Sequence, residues 1–426
     1  MNILKEVLKH DVFPALGCTE PIAVAFAAAN AAENLNKTIK NIKITVDPGV
    51  FKNGFAVLVP NTGGEKGLLI AGVLGALVKN SKAKMEVLKN VTENMVVRAR
   101  KLIDSGNATI CIDKSKHSLF IKVIVSSEKE TVKAVIKNSH TNLVCLEKNA
   151  RSIFKGGSEQ DDSTKKGYRS ILKKMKISEL VGLAQKLDDE DYRYIKMGID
   201  MNLAISKEGE KLKKVGYYLS DLVSKGYIFK DIFSSSKIQT AFAVDARMAG
   251  LSFPVMSSGG SGNQGIVAIL VPYLVGQFFE VEESIIIKSI ALSHLVNSYI
   301  KCYTGDLSPL CGCAIAAGVG AAVAIVFQQS GKDMTKITFA INNLISDLGG
   351  MLCDGAKGVC SFKVASSADS AIRSAYMALN NHGISATEGF VGETPEATIQ
   401  HLGRIGMHGM AKADDTMLEI MLEKST

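Results

Sequence analysis

From residue 177 to the end, apolar residues recur at helical spacing with few interruptions, and this restricts the second half of the chain to a packed set of helices. The spacing predicts helices over 177–187, 190–208, 210–225, 236–249, 264–278, 282–300, 312–329, 335–349, 366–380 and 395–407, with a last one near 412–423. The first part of the chain reads differently. The runs ATICI, SLFIKVIV, TVKAVIK and TNLVCL, between Ala108 and Glu147, have the length and residue types of strands in a small sheet. Residues 40–47 and 54–59 read as a further strand pair joined through DPGVFKNG, and helices are expected over 2–10, from Thr19 onward, and over 67–80 and 83–104. The expected fold class is therefore α+β. A sheet-bearing α+β region spans residues 1–150, a polar glycine- and charge-rich linker spans 151–176, and an all-helical domain spans 177–426.

Length supports more than one unit, because single cores stop growing near about 250–300 residues and this chain has 426. With no Trp and 6% aromatic residues, the filling falls to Ala, Val, Ile and Leu, which suits closely packed helices. The net charge of +8 is dispersed through KNIK, NSKAK, STKKGYR and KKMK without interleaved aromatics or finger spacing, which argues against nucleic acid. The N-terminus MNILKEVLKHDVF carries charge in its first turns and lacks an apolar run of signal-peptide length, so a cytoplasmic location is expected. Leu310 to Phe327 is uncharged and long enough to raise a membrane span, and Gly265 to Glu280 is apolar but interrupted by Pro272; Ala, Gly and two cysteines in the former make buried helices the better reading.

Cysteine is the residue type that points to chemistry. Cys302, Cys311, Cys313, Cys353 and Cys360 are five of the eight in the chain, two of them in SPLCGCAIAAG and two bracketing CDGAKGVC. Thiols gathered this way, in a chain without a secretion signal, suggest a soft-metal site rather than disulfides. The loop plus one upstream cysteine offers three thiolates, one fewer than the four that normally close a four-iron cluster, which would leave one iron free to act as a Lewis acid. Spacing alone does not decide between Cys311 and Cys313 as the upstream ligand. Cys302 falls at the end of the 282–300 helix, and Cys111 and Cys145 fall in strand patterns, where they read as packing residues. Asp354 and Lys357, inside the loop, are placed to hydrogen-bond or screen cluster sulfurs.

Three other segments carry candidate site residues. In LGCTEP, Thr19 is placed to cap a helix, Glu20 suits its positive end, and Cys18 sits just ahead of it, where thiol pKa values fall; a lone cysteine is also commonly a small buried residue. The turn VPNTGGEKG lacks the second half of a Walker motif, but Asn61 and Thr62 could meet a substrate carboxylate there, with a plain structural turn as the alternative. The loop FPVMSSGGSGNQG offers donors and close backbone approach, with Ser258, Ser261 and Asn263 as substrate contacts; a helix cap or a phosphate cup for pyridoxal phosphate would use the same residue types. His294, His382, His401 and His408 lack zinc-hydrolase spacing, and only His382, in NNHGISATEG, has a setting in which an acid role is conceivable.

LGCTEP, SSGGSGNQG, CGCAIAAG and CDGAKGVC together resemble the L-cysteine desulfidases, within the iron–sulfur L-serine dehydratase alpha-like superfamily, and the resemblance runs nearly the whole length. It implies a [4Fe-4S] cluster on Cys311, Cys353 and Cys360 with one open iron, and Cys18 as acceptor of the substrate α-proton. Related serine dehydratases carry a serine- and histidine-bearing turn where this chain has GCT, which points away from serine. The implied reaction is removal of sulfide from L-cysteine without pyridoxal phosphate, giving 2-aminoprop-2-enoate and then pyruvate and ammonia. The implied partner is the amino acid, with no nucleic acid and no membrane, and homo-oligomerisation stays open. An exposed iron implies an anaerobic or well-reduced setting. The competing readings are a [4Fe-4S] L-serine dehydratase, a pyridoxal-phosphate lyase and a non-catalytic metal-binding protein.

Overall fold

The computed structural model describes residues 1–116, 118–156 and 167–424. Strand β1 (Pro14–Leu16) is followed by β2 (Asn41–Val46), β3 (Ala108–Ile112), β4 (Phe120–Ser126), β5 (Thr131–Lys137), β6 (Leu143–Lys148), β7 (Arg151–Lys155) and β8 (Pro254–Met256). Strands β2 to β7 make one sheet in the order β3-β2-β4-β5-β6-β7, parallel between β2 and β3 and antiparallel elsewhere. Alternation builds it. Ile121, Val123 and Val125 on β4 and Val132, Ala134 and Ile136 on β5 point to one face, where the Ala-rich helix Thr19–Glu33 covers them, and the apolar helix Leu68–Val78 packs beside it over β2 and β3.

Here the expected strand pair fails. Residues 48–54 form a helix, because Asp47 caps it by accepting from the Gly49 and Val50 amides and Pro48 fits the first turn; residues 54–59 retain only an isolated bridge from Leu58 to Lys66. Strand β2 pairs instead with β3 and β4. The helix expected over 83–104 is confined to Glu93–Asp104, where the Thr92 hydroxyl accepts from the Met95 amide. Cys111 also departs from expectation: it sits on edge strand β3 with its side exposed, so it packs little.

The second body is helical, and its core includes the first helix of the chain, Ile3–His10, whose Ile3, Leu4, Val7 and Leu8 join the same apolar cluster as the later helices. Strand β1 pairs antiparallel with β8, tying the chain start to the middle of this body. Its centre is the helix Ala316–Ser330, buried on all sides by Gly262–Phe278, Glu283–Thr304, Met334–Leu348 and Cys360–Leu379. A helix apolar all round belongs at such a centre. Among the described residues no helix is long and apolar enough to cross a membrane. The segment between the two bodies contributes β7 and a helix at 167–172, while residues 157–166 lie outside the described residues.

Two helix starts shift the cysteines. The Ala-rich helix begins at Ala316 and not at 312, so Cys313 lies in the preceding turn rather than on the helix. The helix expected from 366 begins at Cys360, which makes that thiol a helix N-terminal residue.

Candidate active site

A cavity of about 1330 Å³ opens where the sheet-bearing body meets the helical one. Its lining includes Cys18, Ser261, Asn263, Cys311, Cys353 and Cys360, drawn from four separate segments.

Each segment is fixed by local physics. Cys18 is the N-cap of Thr19–Glu33, with Thr19 already in the first turn and its hydroxyl donating to Glu20 Oε2 at 3.1 Å, which corrects the expected capping role of Thr19. The Arg247 guanidinium donates to the Gly17 carbonyl at 2.6 Å and to Asn263 Oδ1 at 2.8 Å, binding the Cys18 turn to the 257–263 loop. That loop is a tight hairpin. Ser258 and Ser261 exchange backbone hydrogen bonds across Gly259 and Gly260, whose φ values of 54° and 75° suit glycine in a two-residue turn. Ser261 then starts the helix Gly262–Phe278 without capping it by its own hydroxyl, which leaves that group at a helix N-terminus on the cavity wall. Ser258 turns inward, accepting from Asn297 Nδ2 at 2.9 Å and meeting His294 Nδ1 at 2.9 Å. Its expected substrate contact is thus replaced by a buried structural one.

The three cysteines named from the resemblance meet here. Cys311 and Cys353 are held abreast by Cys311 N–H to Met351 O at 2.9 Å and Cys353 N–H to Pro309 O at 2.6 Å, around a bridge between Leu310 and Leu352. The Cys311 thiol is coupled electrostatically to both Cys313 and Cys353, and Cys360 feels the charge of Cys353. Contact with Cys313 and burial push the Cys311 thiol up, against a downward pull from Cys353; Cys311 and burial push Cys353 well up, and burial raises Cys360. Lys363 and Lys52 supply positive charge beside these sulfurs. Asp354 and Lys357 pair with each other, and Asp354 also receives Lys363 Nζ at 2.7 Å, so these charges hold the loop, while the Lys357 charge also acts to lower the Cys360 thiol. Cys302 also lines the cavity, but its thiol donates to Ser298 O at 3.3 Å within its own helix, with Arg169, Asp11, Asp306 and Lys173 as its charged neighbours.

Among the described residues no three His, Cys, Asp or Glu side chains close on a single metal ion. A four-iron cluster spreads its ligands over different irons, and free thiols lining one cavity beside lysine charge match what it requires. The donor set fits that group.

The Cys18 thiol differs from expectation in one respect. Burial, and then the Glu20 carboxylate, drive its pKa well above the ordinary thiol value, outweighing the helix N-terminus and the pull of Arg247. Its Sγ donates to Glu20 Oε2 at 2.9 Å.

Asn61 and Thr62 lie outside the cavity lining. Asn61 Nδ2 donates to the Leu88 and Lys89 carbonyls and its Oδ1 accepts from Ser252 Oγ, tying the turn to two other segments, while Thr62 Oγ1 donates to Val59 O and accepts from the Glu65 amide within the turn itself. His382 is exposed at a helix end and likewise lies outside that lining.

The serine dehydratase alpha chain family matches residues 82–419. This chain belongs to that family. Over the full length it is 58% identical to a UPF0597 protein of Geobacter sulfurreducens, covering 100% of this chain and 99% of the other. A UPF0597 protein of Elusimicrobium minutum is 53% identical with 100% of both chains covered, and one of Clostridium tetani is 41% identical with 99% of each covered. No solved structure gives a significant match. The serine dehydratase alpha chain match takes in the hairpin loop and the three cysteines and begins after Cys18.

In this family member, sequence reasoning passed over Arg247, His140 and Lys52. The signal for Arg247 was there: the run AFAVDARMAG is apolar except for Asp245 and Arg247, two charges on a stretch of helix that buries every face. Nothing local marks His140, which reaches the cavity from the loop between β5 and β6.

Proposed function

We propose that the protein is an L-cysteine desulfidase, a lyase that eliminates sulfide from L-cysteine without pyridoxal phosphate. The observation that carries this reading is that Cys18 and the thiols of Cys311, Cys353 and Cys360 line one cavity. These three cysteines would hold a [4Fe-4S] cluster, which supplies, when bound, a Lewis-acidic iron with a coordination position open to a soft sulfur ligand.

The chain's own residues do the rest. Arg247 and the helix N-terminus at Ser261 offer positive charge and donors for the substrate carboxylate. Cys18 Sγ takes the α-proton, and the arginine tie to Gly17 fixes the turn that presents it. The product, 2-aminoprop-2-enoate, leaves to become pyruvate and ammonia in solution. Lys52, buried and paired with Asp414, adds positive charge near Cys353. A dispersed positive charge and a reduced cytoplasm suit an anionic substrate and an oxygen-sensitive centre.

The family name favours a second reading, a [4Fe-4S] dehydratase acting on L-serine. The cysteine at position 18, where the dehydratases are expected to carry a serine- and histidine-bearing turn, favours the first. Turnover of L-cysteine and L-serine by one anaerobically purified sample separates them. The proposal expects sulfide and pyruvate from L-cysteine at a kcat/KM at least tenfold above that for pyruvate from L-serine, and the reverse ratio would overturn it.

A further inference from the structure

Gln264, the third residue of the helix Gly262–Phe278, lines the cavity and is only 4% exposed. Its Oε1 is shielded from solvent and accepts no hydrogen bond among the described residues. A buried acceptor without a donor destabilises the fold, and such a group on a cavity wall calls for a ligand that supplies the donor. We propose that Gln264 is a substrate-binding residue whose side-chain oxygen accepts from the α-ammonium group of the amino acid. The proposal rests on the reading of this cavity as an amino-acid site and adds a free α-amino group to what the site recognises.

Two bare backbone positions make the seat for this amide. A Cβ on Gly312, between Cys311 and Cys313, would stand 2.6 Å from Gln264 Nε2 and 3.4 Å from Oε1. A Cβ on Gly259, in the hairpin turn, would stand 3.1 Å from Oε1 and 3.1 Å from Asn297 Nδ2. Both glycines line the cavity, so the amide lies between the hairpin and the turn that carries Cys311. Rotation about the Cγ–Cδ bond is broad for a terminal amide and exchanges its oxygen and nitrogen. The exchange turns the oxygen toward Gly312 and the nitrogen toward Gly259 and Asn297, whose own Oδ1 is buried without a partner.

Charge around the seat explains why the acceptor is neutral. Arg247 is 2% exposed, donates to Asn263 Oδ1 next in sequence to Gln264, and keeps an Nε without a hydrogen-bond partner. An acidic side chain at 264 would compete for that guanidinium, which the substrate carboxylate needs. An amide oxygen leaves Arg247 free for the carboxylate and still accepts from the ammonium one carbon away. Lys301, beside Gly259, is already engaged by the Asp306 carbonyl at 2.7 Å, and Glu20, on the Cys18 side of the cavity, is ionised at neutral pH.

The test uses the full chain, purified anaerobically, and two ligands that differ in the group concerned. L-Alanine keeps the ammonium and cannot lose sulfide, whereas 3-mercaptopropionate keeps the thiol and the carboxylate and has no amino group. Gln264→Met removes the polar atoms at nearly constant length. By titration calorimetry it should weaken L-alanine at least tenfold, the worth of a hydrogen bond to a charged group, and leave 3-mercaptopropionate within twofold of the parent. The KM for L-cysteine should rise at least tenfold with kcat within threefold, as expected when an interaction is made equally in ground and transition states. Gln264→Leu repeats the comparison if the methionine variant does not fold. L-Alanine binding unchanged by the substitution, or a loss at least as large for 3-mercaptopropionate, would overturn the assignment, because the amide would then act on the wall as a whole. If the parent protein binds neither ligand and turns over neither L-cysteine nor L-serine, the amino-acid reading of the cavity falls, and the assignment with it. If the parent binds L-alanine and the variant binds it as well, only Gln264 is wrongly assigned.

Discussion

At the scale of single residues, different cysteines should incur different losses when replaced. Cys18→Ser should lower kcat for sulfide release by about 100-fold or more, the usual cost of removing a proton-transfer group, while iron and acid-labile sulfide per chain stay at the parent value. Serine at Cys311, Cys353 or Cys360 should empty the site of iron. Cys313→Ser should not, and retention of iron by that variant, measured on anaerobically purified protein, separates the two neighbours that spacing could not. Residue identity was legible where chemistry is carried by type: a cysteine before a helix and cysteines around a glycine-containing loop are visible in a string of letters. What burial does to such a group is not, and this is why Cys18 was expected to have a lowered pKa and has a raised one. A helix terminus acts within one turn, whereas desolvation and the Glu20 charge depend on what the rest of the fold packs around the thiol.

At the scale of elements, the cavity depends on loops held by backbone approach. Gly355, in the loop between Cys353 and Cys360, has φ +94°, and an added Cβ would stand 2.2 Å from the Lys52 carbonyl of the helix Pro48–Gly54. Gly355→Ala should therefore destabilise the protein by about 1–3 kcal/mol and lower its iron content, measured by urea unfolding and by iron analysis. An alanine variant with unchanged stability and full iron would show that this junction is looser than described. Helices with strong periodicity were legible to within a few residues, and so was the existence of the small sheet. The errors came where one residue pair carries two meanings. Asp47-Pro48 was read as a connection between strands and is a helix start, and the small residues following Cys311 were read as helix before the helix begins. Pairing across the sheet was also beyond local pattern, because β2 joins β3 across the helices between them.

At the scale of the whole molecule, the site exists because two bodies are fastened around it. Arg169, in the segment between the bodies, ties the chain start to the loop after Glu283–Thr304, its guanidinium donating to Asp11 Oδ1 at 2.9 Å and to both oxygens of Asp306. Burial acts to raise the Asp306 carboxyl, but Arg169 and Lys301 outweigh it and bring it to about 2. A carboxyl lowered on folding contributes stability above its unfolded value, near about 3.9, and loses that contribution as pH falls toward its folded one. Arg169→Gln should cost about 1–3 kcal/mol at pH 7, between an exposed and a fully buried pair, since Asp11 is buried while Asp306 keeps a third of its surface in water. The difference from the parent should shrink as pH falls from about 4 to about 2, checked by urea unfolding at both ends; a constant difference would place the effect in packing instead. Distances between cysteines far apart in sequence were never written in the chain's local pattern, and only the resemblance named Cys311, Cys353 and Cys360 together before the fold placed them on the lining of one cavity.

The central claim is a four-iron cluster held by three sulfurs beside Cys18. The measurement that meets it most directly is a Mössbauer spectrum of protein prepared anaerobically with enriched iron, recorded with and without L-cysteine. The account predicts four irons per chain, one of which changes its signal on addition of the amino acid while three do not. Iron absent from such a preparation, or four irons indifferent to L-cysteine, would contradict it.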